Sequence, residues 1–439
     1  MHRRAFLTGT TAAGLTALLS RPTPAAAHSP TQDLTAWLHA QQAAHRAECG
    51  QTYFEVDIPA GEWSIPDVIT LDGPIGINAH KAHITFEAGL PKTGAIKNKF
   101  VKPVLQPLPP VTAGMTQIPG LGGQGGDIVV IQSDDDRGHV SSKVETPRHL
   151  YRLCAPGVLD TPTIHDYTIN PKWAVVPMTD RVELNGFNHQ TLGRDHRVVN
   201  LRQVTNAVFD DITAGEDQSG AWQMFDCYGA RVCDFTIESM ANPGKAPWGY
   251  GLVLVASTTD VDVTNLEGGT VRHLITTNII SDGALFRGGV RDVKVRDSRC
   301  FSSKSAAFDT HYGSDQVMFA RCIVDQSDTI GIQLRGDNQS VIDCEASDCN
   351  KSLSVSAGAR NATAYGFTST RARKMAVDLG GIDGLVTDSD LRGDSIQTVS
   401  VRSIGAGTGA RLERSDVRGY GFGDEGTVGD VATTGNRHD

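Results

Sequence analysis

Val293-Lys294-Val295, Val317-Met318-Phe319 and Val341-Ile342-Asp343-Cys344 follow one another along the chain, and their leading valines are evenly spaced. Each is a short run rich in β-branched residues, and Gly, Asn or Asp separates it from the next. The same kind of run precedes them as Val208-Phe209-Asp210-Asp211-Ile212, Val232-Cys233-Asp234-Phe235-Thr236-Ile237 and Val261-Asp262-Val263, and follows as Leu385-Val386-Thr387. Val208 and Val232 repeat the same interval, and the other intervals run from the twenties to the low thirties. Short strands repeating at this period predict an all-β fold, a right-handed parallel β-helix with three strands per coil. One coil cannot bury its own inward face, whereas coils stacked ~4.8 Å apart bury a continuous column and pair every strand. Inward positions should then form ladders, and the evenly spaced Cys300, Cys322 and Cys344 read as one such column. Asn338 and Asn361 suit the turns, because Asn tolerates left-handed backbone.

Working outward, regular coils are expected over 200–405, with the repeat weakening beyond. Thr35 to Ala47 predicts a short amphipathic helix that caps the open N-terminal end. The Pro- and Gly-rich stretch 91–126 reads as a long loop, and 138–200 as one or two irregular coils. The segment 28–90 forms the cap and first coil, and 28–439 makes a single domain. The segment 1–27 reads as a twin-arginine export signal: Arg3-Arg4-Ala5-Phe6-Leu7, a weakly apolar stretch from Ala12 to Leu19, then Ala25-Ala26-Ala27. That signal predicts a secreted or periplasmic bacterial protein. Beyond it, no apolar run approaches ~18 residues, so no membrane span is expected.

The chain has 439 residues and a formal net charge of −10, which argues against nucleic acid as partner. No Cys pair has C-x-x-C spacing, so zinc is not expected. Asp134-Asp135-Asp136 could hold calcium, although charge runs are usually solvated surface. No cofactor is otherwise required.

Arg287, His311 and Arg335 each stand at the same offset before an anchor valine. Uniform coils would stack all three on one face, where they repel one another unless an anion lies across them. Asp309, two positions before His311, shares its face and could orient the imidazole. Arg272, His273, Lys304 and Tyr312 are titratable neighbours, and Trp248 and Tyr250 are candidate sugar platforms. Trp222 is another. An arginine column beside a His–Asp pair suits a polyuronate. The arginines would neutralise the C6 carboxylate, His311 would take the C5 proton, and Tyr312, Lys304 or His273 would protonate the leaving O4. The outcome is β-elimination by a polysaccharide lyase, or C5 epimerisation if the proton returns from the opposite face.

Two resemblances bear on this reading. Val56-Asp57-Ile58-Pro59-Ala60-Gly61-Glu62-Trp63 resembles the opening strand of pectin-lyase-like β-helix proteins. Phe308-Asp309-Thr310-His311 with Leu334-Arg335-Gly336 resembles the active-site pattern of mannuronan C5-epimerases and β-helix alginate lyases, over this short part of the chain alone. The resemblance implies that Asp309 and His311 are catalytic and that Arg335 faces the substrate carboxylate. Thr310 stands where those epimerases carry proline, and Ala306 where they carry a tyrosine. Rival readings are a glycoside hydrolase using two of Asp210, Asp211, Glu216, Asp217, Asp226, Glu238 and Asp309, and a non-catalytic, tailspike-like binding solenoid. Side-by-side assembly into a homotrimer is compatible with any of them.

Overall fold

The computed structural model describes residues 31–91, 93–140, 143–192, 197–217, 220–240, 249–393, 399–403, 409–418, 432–434 and 437–438. The expected export signal and Trp248 lie outside the described residues.

From Phe54 the chain winds as a parallel β-helix, right-handed as parallel crossovers are. One coil shows the plan. Arg291–Arg296 forms the first face, Arg299–Ser303 the second and Ala306–Asp309 the third. The next coil repeats it with Asp315–Ala320, Ile323–Val324 and Ser327–Leu334, each pairing in parallel with its predecessor. Val293, Val317, Phe319 and Val341 all point inward and are buried. Each such side chain contributes roughly 1.5–3 kcal/mol relative to exposure, and this continuous column holds the coils together.

The turns follow from residues that accept left-handed backbone. Asp297, Arg321, Asp343 and Asp388 recur at one corner with φ near 50°. At another corner, Asn338 and Asn361 adopt the same conformation. There Asn361 Nδ2 donates to Asn338 Oδ1 and Asn338 Nδ2 to Asp315 Oδ1, both at 3.0 Å. At the N-terminal end the helix Leu34–Cys49 lies over the first coil, capped by Asp33, whose carboxylate accepts from the Ala36 amide. Leu34 and Leu38 are buried there, and Trp37 packs on Trp63 at 5.5 Å. Among the described residues no helix is long and apolar enough to cross a membrane.

Four features depart from the sequence reading. Residues 91–126 are not simply a loop: Leu108, Val111, Ile118 and Leu121 enter a second core with Val129, Tyr151 and Trp173. Most of 138–200 is likewise not coil. Ile128–Gln132, Lys143–Ala155 and Lys172–Val175 form an antiparallel sheet inserted between two coils, and the solenoid resumes near Thr179. Third, the cysteines do not share one column. Cys322 and Cys344 stack, with the Cys322 amide 3.3 Å from Cys344 Sγ, but Cys300 pairs with Val324 in the neighbouring column. Finally, the coils around Arg287, His311 and Arg335 are not uniform. Phe319 pairs with Val341, whereas Thr276 pairs with Asp309, a separation half as long again. The long coil makes room for a hairpin, Ile280–Asp282 with Leu285–Gly288, whose second strand runs parallel to Val144–Pro147 of the insert. The insert therefore lies beside the third face.

Candidate active site

The third face carries Tyr250–Val255, His273–Asn278, Ala306–Asp309 and Ser327–Leu334 in succession. Its outward positions stack in register. Thr276 lies opposite Asp309, and Asp309 opposite Gln333. The same register sets His311 against Arg335 on the next coil. The spacing of Val293 from Val317 holds on this face and shortens only in the following turn, so His311 and Arg335 stack although their anchor valines do not.

Asp309 is the centre of the cluster. Its carboxylate is buried and accepts from Arg335 Nη2 at 2.6 Å on both oxygens and from Thr276 Oγ1 at 2.9 Å. Two imidazoles flank it: His311 Nε2 is 3.6 Å and His273 Nδ1 3.7 Å from Oδ2. Burial pulls the carboxyl's pKa up, but Arg335, His311 and His273 outweigh it and leave the group below the usual carboxylate value. Arg335 is itself fixed, since its Nε donates to the Thr310 carbonyl and its backbone amide to Thr310 Oγ1. Among the described residues its Nη1 has no partner, so one edge of the guanidinium stays available.

His311 keeps 30% of its side-chain surface open, and the rest is buried. That burial lowers its pKa to about 4; Asp309 pulls the other way, and Arg335 and His273 add to the fall. At neutral pH it is an uncharged base with its Nε2 edge toward a carboxylate. The His311 amide donates to Thr277 Oγ1 at 2.6 Å, which fixes the backbone under the ring. His273 is more enclosed, 7% exposed, and burial lowers its pKa too. It supports Asp309 from behind and packs against Tyr250 with the rings tilted, 5.0 Å between centres.

The remaining expected residues divide. Tyr312 lies under Arg335, 5.9 Å from guanidinium carbon to ring centre, and both line a cleft of about 490 Å³ between the solenoid and the insert. Tyr250 walls another cleft, of about 330 Å³, further up the same face. Arg287 is not in the column. It sits on the hairpin and donates to Asp134, Asp282 and the Ser133 carbonyl; the stacked predecessor of His311 is Asn278. Lys304 is exposed and pairs with Asp328, and Arg272 enters through its carbonyl, which accepts from Ser303 Oγ. Trp222 is no platform: it is buried among Phe187, Phe209 and Phe235. Asp226, a hydrolase candidate, is spent on a bidentate contact with buried Arg148.

Asp134 and Asp135 are both engaged within the protein. Asp134 accepts from Arg287 and Asn170, and Asp135 from Ser133, Thr168 and the Ile169 amide. Among the described residues no group of three or more His, Cys, Asp or Glu could hold a metal.

Three side chains of the cleft beside Tyr312 carried no signal in the sequence. Glu145, from the insert, is buried beside Gly313, and burial raises its pKa. Arg137 bridges Glu145, at 3.8 Å, and Asp337, at 2.7 Å. Arg360, exposed on the rim, acts electrostatically on Glu145. Only knowledge of the insert's position could have joined residues so far apart in the chain.

No protein-family model matches the sequence, and no curated protein matches it. Solved structures do resemble the fold. The tailspike protein gp49 from Pseudomonas phage LKA1 superposes with a TM-score of 0.67 at 17% identity, covering 91% of this chain and 70% of that one. The tailspike gp61 of Pseudomonas phage phi297 gives 0.54 at 9%, covering 83% and 65%. The gp54 tailspike of Acinetobacter baumannii bacteriophage AP22, in complex with A. baumannii capsular saccharide, gives 0.50 at 12%, covering 94% and 68%. At such identities the likeness is one of fold: a tailspike-like parallel β-helix, with no epimerase or pectin-lyase family shown.

Proposed function

We propose that this protein is a carbohydrate-active enzyme that cleaves an acidic polysaccharide by β-elimination on the third face. The observation that carries the reading is His311, an uncharged imidazole with 30% of its side chain open, 3.6 Å from the buried Asp309 carboxylate that Arg335 also grips. A base of that kind can take a proton at neutral pH, and Asp309 stabilises the imidazolium that forms. Support for a polysaccharide as substrate comes from the AP22 tailspike, a fold relative solved in complex with a capsular saccharide.

In the proposed step the C6 carboxylate of a uronate residue lies against Arg335 Nη1, with Arg360 on the cleft rim as the second cation. His311 removes the C5 proton, the C5–H electron pair becomes the C4–C5 double bond, and the C4–O4 bond breaks. O4 leaves with the proton of the Tyr312 hydroxyl. The products are an unsaturated uronate end and a new reducing end. Arg287, tied to Asp134 and Asp282, takes no part.

A second reading has one observation in its favour. Glu145, whose pKa burial raises, and Asp337 share Arg137 in the same cleft, and hydrolysis of a glycosidic bond uses a pair of carboxyl groups. The deciding experiment incubates the purified protein with a panel of uronic-acid polysaccharides and follows both ultraviolet absorbance of the unsaturated product and new reducing ends. Both signals rising together support elimination. Reducing ends without absorbance overturn it in favour of the carboxyl pair.

A further inference from the structure

The outward column that carries His311 and Arg335 continues up the solenoid. Asn278 is one coil above His311, Val255 pairs with Asn278, Phe225 with Val255, and Arg202 with Phe225. Arg202 thus stands four strand spacings from His311, on the order of 19 Å. It is held by its backbone: its amide donates to Asn98 Oδ1 at 2.8 Å and its carbonyl accepts from Asn98 Nδ2 at 2.7 Å. Its guanidinium lies over two rings, Phe225 at 4.6 Å and Phe100 at 4.9 Å.

Beside it is Arg197. Both arginines line the cleft of about 330 Å³ whose floor and walls include Phe225, Tyr250, Val253 and Val255. Among the described residues neither guanidinium has a carboxylate partner. Burial lowers the pKa of both; Arg202 lowers that of Arg197 further, while Asp226 partly restores that of Arg202. The carboxylates nearby are already spent, Asp226 on Arg148 and Asp282 on Arg287. Lys102, in the adjoining cleft that shares Arg202 and Phe225, also has no partner among the described residues. A chain with a net charge of −10 therefore gathers cations without a carboxylate partner in two adjoining clefts. Two half-buried arginines side by side are costly unless an anion normally joins them.

We propose that this groove is a binding subsite for an acidic pyranose, remote from the reacting bond. Its carboxylate bridges Arg197 and Arg202, and the apolar face of its ring lies on Tyr250 and Val253. The arginine fork suits a planar carboxylate, and an aromatic and aliphatic floor suits the C–H face of a sugar. This deepens the reading above, on which it rests, by placing an acidic residue several sugars from the cleaved one, so the substrate repeats its charge along the chain.

The test measures binding rather than turnover, by titration calorimetry on the full-length His311→Ala protein. The probes are oligogalacturonate, oligomannuronate and oligoglucuronate, with maltohexaose as the neutral control. At least one acidic probe should bind while maltohexaose does not, with affinity falling as salt rises. The Arg197→Gln/Arg202→Gln double variant, checked for an unchanged unfolding midpoint, should bind it roughly tenfold or more weakly. Unchanged affinity in the double variant overturns the subsite, as does equal binding of maltohexaose or failure of all three acidic probes. Acidic-probe binding that needs both arginines, in a protein whose wild type yields no unsaturated product from any polyuronate, leaves the subsite standing and removes the elimination chemistry.

Discussion

Two sets of aspartate–arginine contacts join neighbouring coils of this solenoid, and they are built differently. At the corners Asp297 faces Arg321, Asp348 faces Arg371 and Asp388 faces Arg414, each pair joined by two hydrogen bonds across one coil spacing. These side chains are largely open to solvent, Asp297 at 42% and Arg321 at 56%. On the third face Asp309 has no exposed side-chain surface and is shared by one arginine and two histidines. Exposed pairs contribute little to stability, and a buried carboxylate is costly unless every lone pair is satisfied. Burying Asp309 is a poor way to stabilise a coil that Val and Phe already hold, so we read the cluster as chemistry.

The sharpest way to break this comparison is Asp309→Ala, which leaves Arg335 beside two imidazoles with nothing to compensate it. It should destabilise the protein by about 3–5 kcal/mol and abolish turnover, read by denaturant unfolding and by activity. A small loss of stability would put Asp309 in the same class as the corner aspartates. His311→Ala comes next: turnover should fall by about 10²- to 10⁴-fold while the unfolding midpoint holds. Near-wild-type turnover would remove His311 as the base.

Arg335→Lys keeps the charge but loses the fork that spans Asp309 and Thr310. We expect kcat and apparent affinity to fall together, by less than in His311→Ala; no effect on either would take Arg335 out of the site. The pH profile separates this histidine from an ordinary one. Because the neutral imidazole is the active form and its pKa is lowered, kcat/KM should stay level below neutrality and fall as the pH drops through about 4. A fall centred near the ordinary imidazole value of about 6.5 would mean that His311 is not held as described. The smallest effect belongs to the corners: Arg321→Ala should leave the melting temperature unchanged within error, as measured by circular dichroism.

The sequence displays the solenoid because β-branched runs and left-handed turn residues recur once per coil, at Val293, Val317 and Val341 and at Asn338 and Asn361. It brings His311 to Arg335 for the same reason, since one regular coil separates them. It fails at Arg287, where a hairpin lengthens the coil and carries the arginine off the column. Equal spacing of valines cannot reveal a detour between them. His273 does reach the cluster, 3.7 Å from Asp309, although a longer coil separates the two. Trp222 is misread for another reason: an aromatic in a strand can face inward or outward, and only its ring partners decide. Glu145, Arg137, Arg197 and Arg202 owe their roles to an inserted sheet or to strand stacking that no local motif records.

Thr146 and Phe286, which meet where the insert joins the hairpin, are 140 residues apart in the chain. A solenoid can otherwise add coils one at a time as it is synthesised, each upon the last. The parallel ladder from Val144 to Pro147 cannot do so, because its partner strand, Leu285–Gly288, is made much later. Until then that side of the insert is an open strand edge, able to pair with another chain. The wall that shapes the cleft therefore cannot close until Gly288 has been made, and nascent chains arrested before Gly288 are the ones expected to self-associate.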